Sequence, residues 1–79
     1  MRKVENQKIT KVVCNKCGKE LHMEKDRITE GYFHANQTFG YSSDKDGENH
    51  QWDLCEACYD KFIQSFQIPV MQQEETELI

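Results

Sequence analysis

Apolar and polar positions alternate with a period of two along much of this 79-residue chain, which is the pattern of short strands with one buried side. Residues 9–13 are mostly β-branched and residues 20–23 alternate polar and apolar side chains, so we expect these two stretches to form one hairpin. Residues 38–42 and 49–54 show similar alternation on either side of a run of turn-forming residues. They predict a second hairpin, closed by Asp46-Gly47.

A helical period replaces the strand period near residue 55, where apolar positions recur every three or four residues. The stripe consists of Cys55, Tyr59, Phe62 and Phe66. This spacing predicts an amphipathic helix whose apolar side faces the rest of the domain. Asp53 is its predicted N-cap, and Glu56 is placed to complete a capping box. Pro69 disfavours helical geometry at Ile68, so the helix should end near residue 66 or 67.

The length of the chain and these elements together predict one small domain. We expect a small α+β domain over residues 8–70, built from β-hairpins and one C-terminal helix. A flexible arm at residues 1–7 precedes it, and an acidic flexible tail at residues 71–79 follows it. Only 37% of the residues are hydrophobic, and a chain this short buries little apolar surface, so the core needs an additional crosslink to be stable.

The four cysteines of the chain form two Cys-x-x-Cys pairs, Cys14 with Cys17 and Cys55 with Cys58. Residues 18–54 separate the two pairs. Four thiolates fill the tetrahedral coordination of one Zn²⁺ and leave no open position for water or substrate. The spacing therefore predicts one structural zinc ion, whose binding free energy contributes directly to folding.

Three other uses of the same cysteines follow different chemistry. Tetrahedral sulfur coordination also suits iron in a rubredoxin-like site. A disulfide scaffold requires an oxidising compartment, which nothing in the sequence indicates. A thioredoxin-like redox site needs one Cys-x-x-Cys after a strand in a larger βαβ fold, and two matched pairs in so short a chain argue against it.

Charge is unevenly distributed, although the net charge at pH 7 is only −4. Residues 1–25 carry a local charge of +4, and residues 26–79 carry a local charge of −8. The basic side chains near the first cysteine pair are candidates for nucleic-acid binding: Lys8, Lys11, Lys16, Lys19 and Lys25. We find no apolar run long enough for a membrane span and no recognisable secretory signal, so we expect a cytoplasmic protein.

The cysteine pairs and their surroundings carry a resemblance to known zinc-binding families. Cys14-x-x-Cys17-Gly18 on a predicted hairpin, then a second hairpin, then Cys55-x-x-Cys58 at the start of an aromatic helix, together resemble a treble-clef zinc finger. A zinc ribbon, in which both pairs lie on hairpin turns, is the alternative.

A closer resemblance covers about residues 12–70. It lies in Phe39-Gly40-Tyr41-Ser42-Ser43, Asp46-Gly47, Trp52-Asp53-Leu54-Cys55-Glu56, Cys58-Tyr59 and Phe66-x-Ile68-Pro69. These segments resemble a group of short uncharacterised bacterial and phage-type zinc-binding proteins. The resemblance implies a metal-stabilised cytosolic module that a mobile element could encode, and it implies no particular activity.

Residues outside the cysteine pairs do not form a recognisable catalytic pattern. No serine, histidine and acid are spaced for nucleophilic catalysis, and no glycine-rich phosphate loop is present. We interpret His22, His34 and His50 as ordinary strand or surface histidines. Asp44-x-Asp46-Gly47 resembles part of a calcium loop but lacks its length and flanking helices, so we interpret it as a hairpin turn. We therefore expect neither an enzyme nor a small-molecule substrate.

The central strands contain more aromatic surface than one short helix covers, which favours a protein partner or self-association. The candidate interface residues are Tyr32, Phe33, Phe39, Tyr41 and Trp52. The sequence therefore predicts a protein-interaction module, either a homo-oligomer or an inhibitor or adaptor of another protein. The alternative is a regulatory zinc finger that binds nucleic acid through the basic N-terminal hairpin, although the acidic composition argues against it.

Overall fold

Three antiparallel β-hairpins followed by one helix make up the computed structural model, which describes residues 1–75. The hairpins are β1 (Arg2–Glu5) with β2 (Lys8–Val12), β3 (Met23–Glu24) with β4 (Arg27–Ile28), and β5 (Tyr32–Thr38) with β6 (Asn49–Cys55). The helix α1 spans Glu56–Gln64. The predicted class, a small α+β domain of hairpins with one C-terminal helix, is confirmed. No helix in residues 1–75 is long and apolar enough to cross a membrane.

The first hairpin includes residues that the sequence analysis assigned to a flexible arm. Strand β1 pairs with β2 along its whole length. Asn6 and Gln7 connect the two strands with φ values of 50° and 66°, as a type I′ turn requires. Residues 1–7 are therefore mostly a strand and a turn. The sequence did not predict this strand and turn, because Val4 is the only apolar residue of β1 and Gln7 is not a typical turn residue.

The partner of β2 also differs from the prediction. Residues 20–23 were expected to pair with it along their length. Their backbone meets only the end of β2, at a bridge between Val13 and Glu20 and a hydrogen bond of 2.8 Å from the Leu21 N–H to the Val12 carbonyl. The chain then continues into β3, which pairs with β4 instead. Alternation of side chains was correct as a strand signal, but it carried no information about which strand pairs with which.

The longest strand pair is β5–β6, with seven consecutive residue pairs from Tyr32 opposite Cys55 to Thr38 opposite Asn49. The prediction placed the first of these strands at residues 38–42, about six residues too late. A turn in which the Ser43 N–H donates to the carbonyl three residues earlier occupies that segment instead. Residues 39–48 form the connecting loop.

Two bonds of that loop involve Phe39, whose N–H donates to the Glu48 carbonyl at 2.9 Å and whose carbonyl accepts the Gly47 N–H at 3.1 Å. Gly47 has φ 89°, a conformation that side chains disfavour. The predicted Asp46-Gly47 turn therefore lies inside this loop and near its end.

Helix α1 and the first hairpin cover opposite faces of β5–β6. One face carries Phe33 and Trp52, whose ring centroids are 5.6 Å apart. The helix packs on this face through Tyr59, 5.2 Å from Phe33, and Phe62, 6.0 Å from Trp52. The opposite face meets the first hairpin through the Arg2 guanidinium. The hairpin β5–β6 is thus the middle layer of the domain.

The helix starts and ends differently from the prediction. Strand β6 continues through Cys55, so Asp53 is a strand residue and the predicted capping box with Glu56 does not form. Cys55 is the N-cap, in an extended conformation and without a side-chain cap bond. The helix ends at Gln64, where the Ser65 hydroxyl donates a bond of 2.6 Å to a carbonyl of the last turn.

The buried core is small and surrounds the cysteines. Its members are Val12, Cys14, Leu21, Leu54, Cys55 and Cys58. Burying one aliphatic side chain of this kind contributes about 1.5–3 kcal/mol, and the conformational entropy of the chain opposes it. Partly buried hydrophobic side chains pack around this core: Ile9, Met23, Ile28, Phe33, Trp52 and Tyr59. A core this small gains much from a crosslink, which a metal ion held by the four cysteines would supply.

The chain beyond the helix forms no further helix or strand through residue 75. Residues 71–75 of the predicted tail are exposed. Residues 76–79, the rest of the predicted tail, lie outside the described residues.

Candidate metal centre

The first cysteine pair lies in a tight turn that its own backbone closes. The Gly18 N–H donates to the Cys14 carbonyl at 3.0 Å, and the Cys14 N–H donates to the Lys19 carbonyl at 2.8 Å. Gly18 has φ 82°, where a side chain would strain the backbone, so the turn needs a glycine at this position. The turn brings Cys14 and Cys17 together without help from the rest of the fold.

The second pair lies at the junction of β6 and α1. Cys55 is the last residue of β6, and Cys58 lies in the first turn of the helix. Backbone N–H groups in a first helical turn have no partners within the helix and carry partial positive charge. They lower the pKa of cysteines placed beside them, but burial and the neighbouring thiols outweigh this effect at Cys58, whose pKa is raised.

The four thiol groups converge in one cluster. All four Sγ atoms lie within 4.8 Å of one another, and the Sγ atoms of Cys17 and Cys55 are 3.7 Å apart. A tetrahedral ZnS₄ site with bonds of about 2.3 Å has sulfur–sulfur edges of about 3.8 Å. A disulfide bond, by contrast, is about 2.05 Å long. The Cys17–Cys55 distance therefore matches an edge of a tetrahedral metal site, and the other thiols lie close enough to complete its coordination.

The thiols of this cluster differ strongly in acidity. Burial raises the pKa of Cys14, but backbone hydrogen bonds at Cys17, Cys55 and Lys16 outweigh burial and bring that pKa down to about 6. Burial also raises the pKa of Cys58, and hydrogen bonds with the other thiol sulfurs add to this effect, so its pKa rises to about 12. A metal ion takes only thiolates as ligands, so its binding releases the proton of Cys58.

Asn15 joins the first cysteine pair to the strand that carries the second. Its backbone N–H donates to the Asp53 carbonyl at 2.8 Å, and the Asp53 N–H donates to Asn15 Oδ1 at 2.9 Å. The two bonds lie along the outer edge of β6. Because Cys14 is the neighbour of Asn15 and Cys55 is two residues from Asp53, these bonds fix the distance between the two pairs.

Asp53 also anchors the first hairpin, from a buried position. Its side chain is only 2% exposed, and Oδ1 accepts hydrogen bonds from Arg2 Nε at 3.1 Å and from His34 Nδ1 at 2.9 Å. Arg2 Nη2 lies 3.0 Å from the same oxygen. The Met1 nitrogen lies 3.1 Å from Oδ2. Burial raises the pKa of Asp53, but the bonds from Arg2 and His34 outweigh burial and hold the pKa below its usual range. The carboxylate therefore connects β1, β5 and β6.

A second ion pair lies beside the cluster. Lys19 Nζ is 2.7 Å from Glu30 Oε1, and Glu30 Oε2 accepts the His22 N–H at 2.6 Å. The hydrogen bond and charge of Glu30 raise the pKa of Lys19, and the thiolates of Cys55 and Cys17 add to this effect. The bonds from Lys19 and His22 lower the pKa of Glu30. One cationic side chain thus lies close enough to offset part of the negative charge of a four-thiolate site.

The predicted basic residues do not form one cationic surface. Lys8, Lys11 and Lys19 each lie near an acidic side chain, with nitrogen–oxygen distances of 3.8, 3.9 and 2.7 Å. Lys16 lies in the cysteine turn, and Lys25 lies in the turn between β3 and β4. Three of the five charges are therefore partly neutralised within the domain.

The metal-ligand cluster found in residues 1–75 consists of cysteines alone. Each histidine instead contacts an oxygen of another side chain: His22 with Thr29, His34 with Asp53 and His50 with Glu48. These contacts agree with the interpretation of the histidines as strand or surface residues.

The five candidate interface residues lie in three different places. Phe33 and Trp52 are half-buried under α1. Phe39 is half-buried in the loop between β5 and β6. Tyr32 is 44% exposed on the face that meets the first hairpin, and Tyr41 is 95% exposed in the loop.

Sequence reasoning missed the residues that hold the two cysteine pairs in place. Asn15 carries no signal, because any residue can occupy the middle of a Cys-x-x-Cys motif. Asp53 was misassigned, because an acid just before a helix resembles an N-cap. Its partners Arg2 and His34 lie 51 and 19 positions away in sequence, a separation that no local pattern identifies.

Comparison with models of known protein families finds no match for this chain. Comparisons with curated proteins and with solved structures likewise find none.

Proposed function

We propose that this chain is a cytoplasmic, zinc-stabilised protein-interaction module. Its partner is either a second copy of the chain or another protein that it inhibits or adapts. The observation that carries the proposal is the combination of a closed four-cysteine cluster with exposed aromatic side chains on and beside the central hairpin. The cluster is suited to holding the fold together and leaves no position for substrate chemistry. The proposal therefore includes no catalytic role.

Zinc is the metal that this cluster suits best. The sulfur–sulfur separation of 3.7 Å between Cys17 and Cys55 matches one edge of a tetrahedral site. Structural Zn²⁺ sites with four protein ligands are almost always tetrahedral. Iron would accept the same ligands. In the reducing cytoplasm, cysteines paired in this way are metal ligands more often than disulfides.

The order of elements supports a treble-clef finger over a zinc ribbon. The first cysteine pair lies in a turn, the second lies at a helix start, and the hairpin β5–β6 separates them. In a zinc ribbon both pairs would lie in hairpin turns. The presence of Cys58 inside the first turn of α1 is the feature that favours the treble clef.

Exposed apolar side chains support the interaction role. Tyr32, Phe62 and Phe66 are 44%, 39% and 41% exposed, and Tyr41 is 95% exposed. Aromatic residues of this kind contribute much of the binding energy at protein interfaces. Their abundance on so small a domain favours a partner protein that covers some of them.

Nucleic-acid binding is the second candidate, supported by the local excess of lysines in residues 1–25. It ranks lower because Lys8, Lys11 and Lys19 already lie near acids, which reduces the charge available to phosphates. If this candidate holds, Lys16→Ala with Lys25→Ala should weaken binding of a labelled duplex or single strand and flatten its salt dependence.

Native mass spectrometry of the protein purified from its expression host tests the metal and the partner together. We expect one zinc ion per chain and either a dimer or a retained protein. A parallel pull-down uses the immobilised zinc-loaded chain, with the Cys55→Ser chain as the control that lacks a complete site.

The outcomes separate the candidates. A monomer at every concentration, with no protein retained more strongly by the zinc-loaded chain than by Cys55→Ser, contradicts the interaction role. A mobility shift at low salt that the two lysine substitutions remove supports the nucleic-acid alternative. One iron ion in place of zinc would correct the metal and leave the structural role of the cluster intact.

A further inference from the structure

Strand β5 has an outer edge that no other strand of residues 1–75 covers, since β6 is its only strand neighbour there. The direction of its backbone groups follows from β6. The N–H and C=O of Asp53 both bond to Asn15, on the side of β6 away from β5. In an antiparallel ladder both groups of one residue point to the same side, and the residue directly opposite points the other way. His34 is opposite Asp53, so its N–H and C=O face outward from β5.

The direction of the backbone N–H and C=O groups alternates along an antiparallel strand. These groups therefore also point outward at Tyr32, Asn36 and Thr38. Two other contacts agree with this assignment. The N–H of Phe39, one residue further along, bonds inward across the loop. The Thr38 carbonyl accepts a bond of 3.1 Å from the Gln37 side-chain amide, so it is accessible outside the ladder. Four residues of β5 therefore present backbone donors and acceptors along one edge.

This edge lacks the features by which proteins prevent strands from pairing with other chains. Such edges usually carry charges, prolines or bulges. Strand β5 has no Lys, Arg, Asp, Glu or Pro, and its seven pairs with β6 show no register shift. It lies within residues 31–43, the longest stretch of the chain without those four charged residue types.

The strand edges of the first hairpin and of β6 are protected. The first hairpin carries Lys3, Lys8 and Lys11 and a register shift after Lys3. The outer edge of β6 is occupied by Asn15 at Asp53. The contrast between these edges and β5 indicates that the β5 edge is available for pairing.

We propose that the outer edge of β5 pairs antiparallel with β5 of a second copy of this chain, which gives one continuous four-stranded sheet. The inference rests on the proposed function, since it assigns a surface and a partner to the interaction role. A two-stranded ribbon gains stability when it becomes part of a wider sheet.

A two-fold axis perpendicular to the sheet at Ala35 aligns the two strands over all seven residues. His34 of each copy then lies opposite Asn36 of the other, and Tyr32 lies opposite Thr38. These are the outward-facing residues, so each N–H meets a C=O of the other copy. Both helices lie on one face of the wider sheet, and both first hairpins lie on the other.

Charge favours a second copy at this edge. Each copy carries a net charge of −4, which opposes contact between two identical chains over most of their surface. Within residues 31–43 two copies approach without bringing any acidic or basic pair of like sign into contact. An uncharged strand also offers no charge pattern that would select a strongly acidic or basic partner.

The test uses substitutions at Asn36 in the zinc-loaded chain. Asn36→Pro removes an outward N–H but none of the donors to β6, which is the position where an edge strand accepts proline. Each dimer loses two backbone hydrogen bonds, so the dimer dissociation constant from sedimentation equilibrium should rise by about tenfold or more. Asn36→Lys introduces a charge of the kind that usually protects strand edges, so it should also raise the dissociation constant.

Gln51→Lys is the matched control. Gln51 lies directly opposite Asn36 on the same face of the hairpin, and both side chains contact Asn49. Gln51→Lys therefore adds the same charge as Asn36→Lys and loses a similar side-chain contact. Gln51 differs in lying on β6, the strand away from the proposed interface. Its dissociation constant should stay near that of the unmodified chain. Circular dichroism and zinc content check that each variant is folded.

Amide hydrogen exchange supplies an independent readout. The N–H groups of His34 and Asn36 should become protected as protein concentration rises through the dissociation constant, whereas the N–H groups that bond to β6 should be protected throughout. A chain that stays monomeric at millimolar concentration overturns the inference. So does a dimer that both Asn36 variants leave intact, or one that Gln51→Lys weakens equally. None of these results decides whether the chain is a protein-interaction module. The separate pull-down with the zinc-loaded chain tests that proposed function.

Discussion

Removal of the Asp53 carboxylate should destabilise the domain more than any other single change to a charged side chain outside the cysteine cluster. The side chain is 2% exposed and accepts bonds from Arg2, His34 and the Met1 nitrogen, so it is a buried charge with three charged or polar partners. Asp53→Ala deletes these bonds, including the one that links Arg2 of the first hairpin to β6. The substitution preserves both bonds between Asn15 and the backbone of residue 53, apart from effects of local movement.

The expected magnitude follows from the exposure of the partners. A hydrogen bond to a charged group contributes about 1.5–3 kcal/mol, and breaking a fully buried ion pair costs about 3–5 kcal/mol. Here the Arg2 and His34 side chains are 24% and 28% exposed, so water solvates them once the carboxylate is gone. We therefore expect Asp53→Ala to lower the free energy of unfolding by about 2–3 kcal/mol.

Urea denaturation at a fixed, buffered free zinc concentration measures this difference, since the apparent stability of a metal-binding domain depends on free metal. Asp44→Ala is the control, because Asp44 is an exposed acid in the loop and its removal should change the free energy of unfolding by less than about 0.5 kcal/mol. Equal stability of Asp53→Ala and Asp44→Ala would show that the buried carboxylate does not hold the first hairpin to β6.

Three further predictions concern the metal, a turn and an ion pair. Chelation of the metal should abolish cooperative unfolding and most of the strand signal in circular dichroism, and Cys14→Ser or Cys58→Ser should do the same. A chelated chain that still melts cooperatively would contradict a folding role for the metal. Gly18→Ala should cost about 1–2 kcal/mol because φ is 82°, whereas Gly40→Ala, which meets no atom within 4 Å and lacks a positive φ, should not destabilise the chain; equal effects would contradict this account. NMR titration should give the Glu30 carboxyl a pKa below that of an unperturbed glutamate, and Lys19→Met should raise it. Because the folded pKa is lowered, the pair's small contribution to stability is present above the unfolded pKa and is lost as pH falls through the folded pKa.

The sequence predicted the class of the fold and the clustering of the four cysteines, because both depend on local signals. Two Cys-x-x-Cys pairs in a chain with so few hydrophobic residues are typical of a domain held by a metal ion, and Gly18 and Gly47 both lie where a turn favours positive φ. The helical stripe around Tyr59 located α1 to within a few residues.

Strand pairing could not be predicted, because it depends on contacts between distant residues. Alternation identified residues 9–13 as a strand but not β1 as its partner. The start of β5 was misplaced because consecutive polar residues, such as Asn36 and Gln37, interrupt the alternation of polar and apolar side chains that marks a strand. Asp53 was misassigned because its partners, Arg2 and His34, lie on other strands.

The direct pairing of Tyr32 with Cys55 has a consequence for the order of folding. In the unfolded chain, a metal ion that binds both cysteine pairs must close a loop of 37 residues, 18–54. Once β5 and β6 are paired, Cys55 lies opposite Tyr32, and only the 14 residues 18–31 remain to be closed. Loop-closure entropy then costs about 0.9 kcal/mol less. Early pairing of β5 with β6 thus speeds capture of the ion by all four thiolates, so a substitution that slows this hairpin also slows metal-coupled folding.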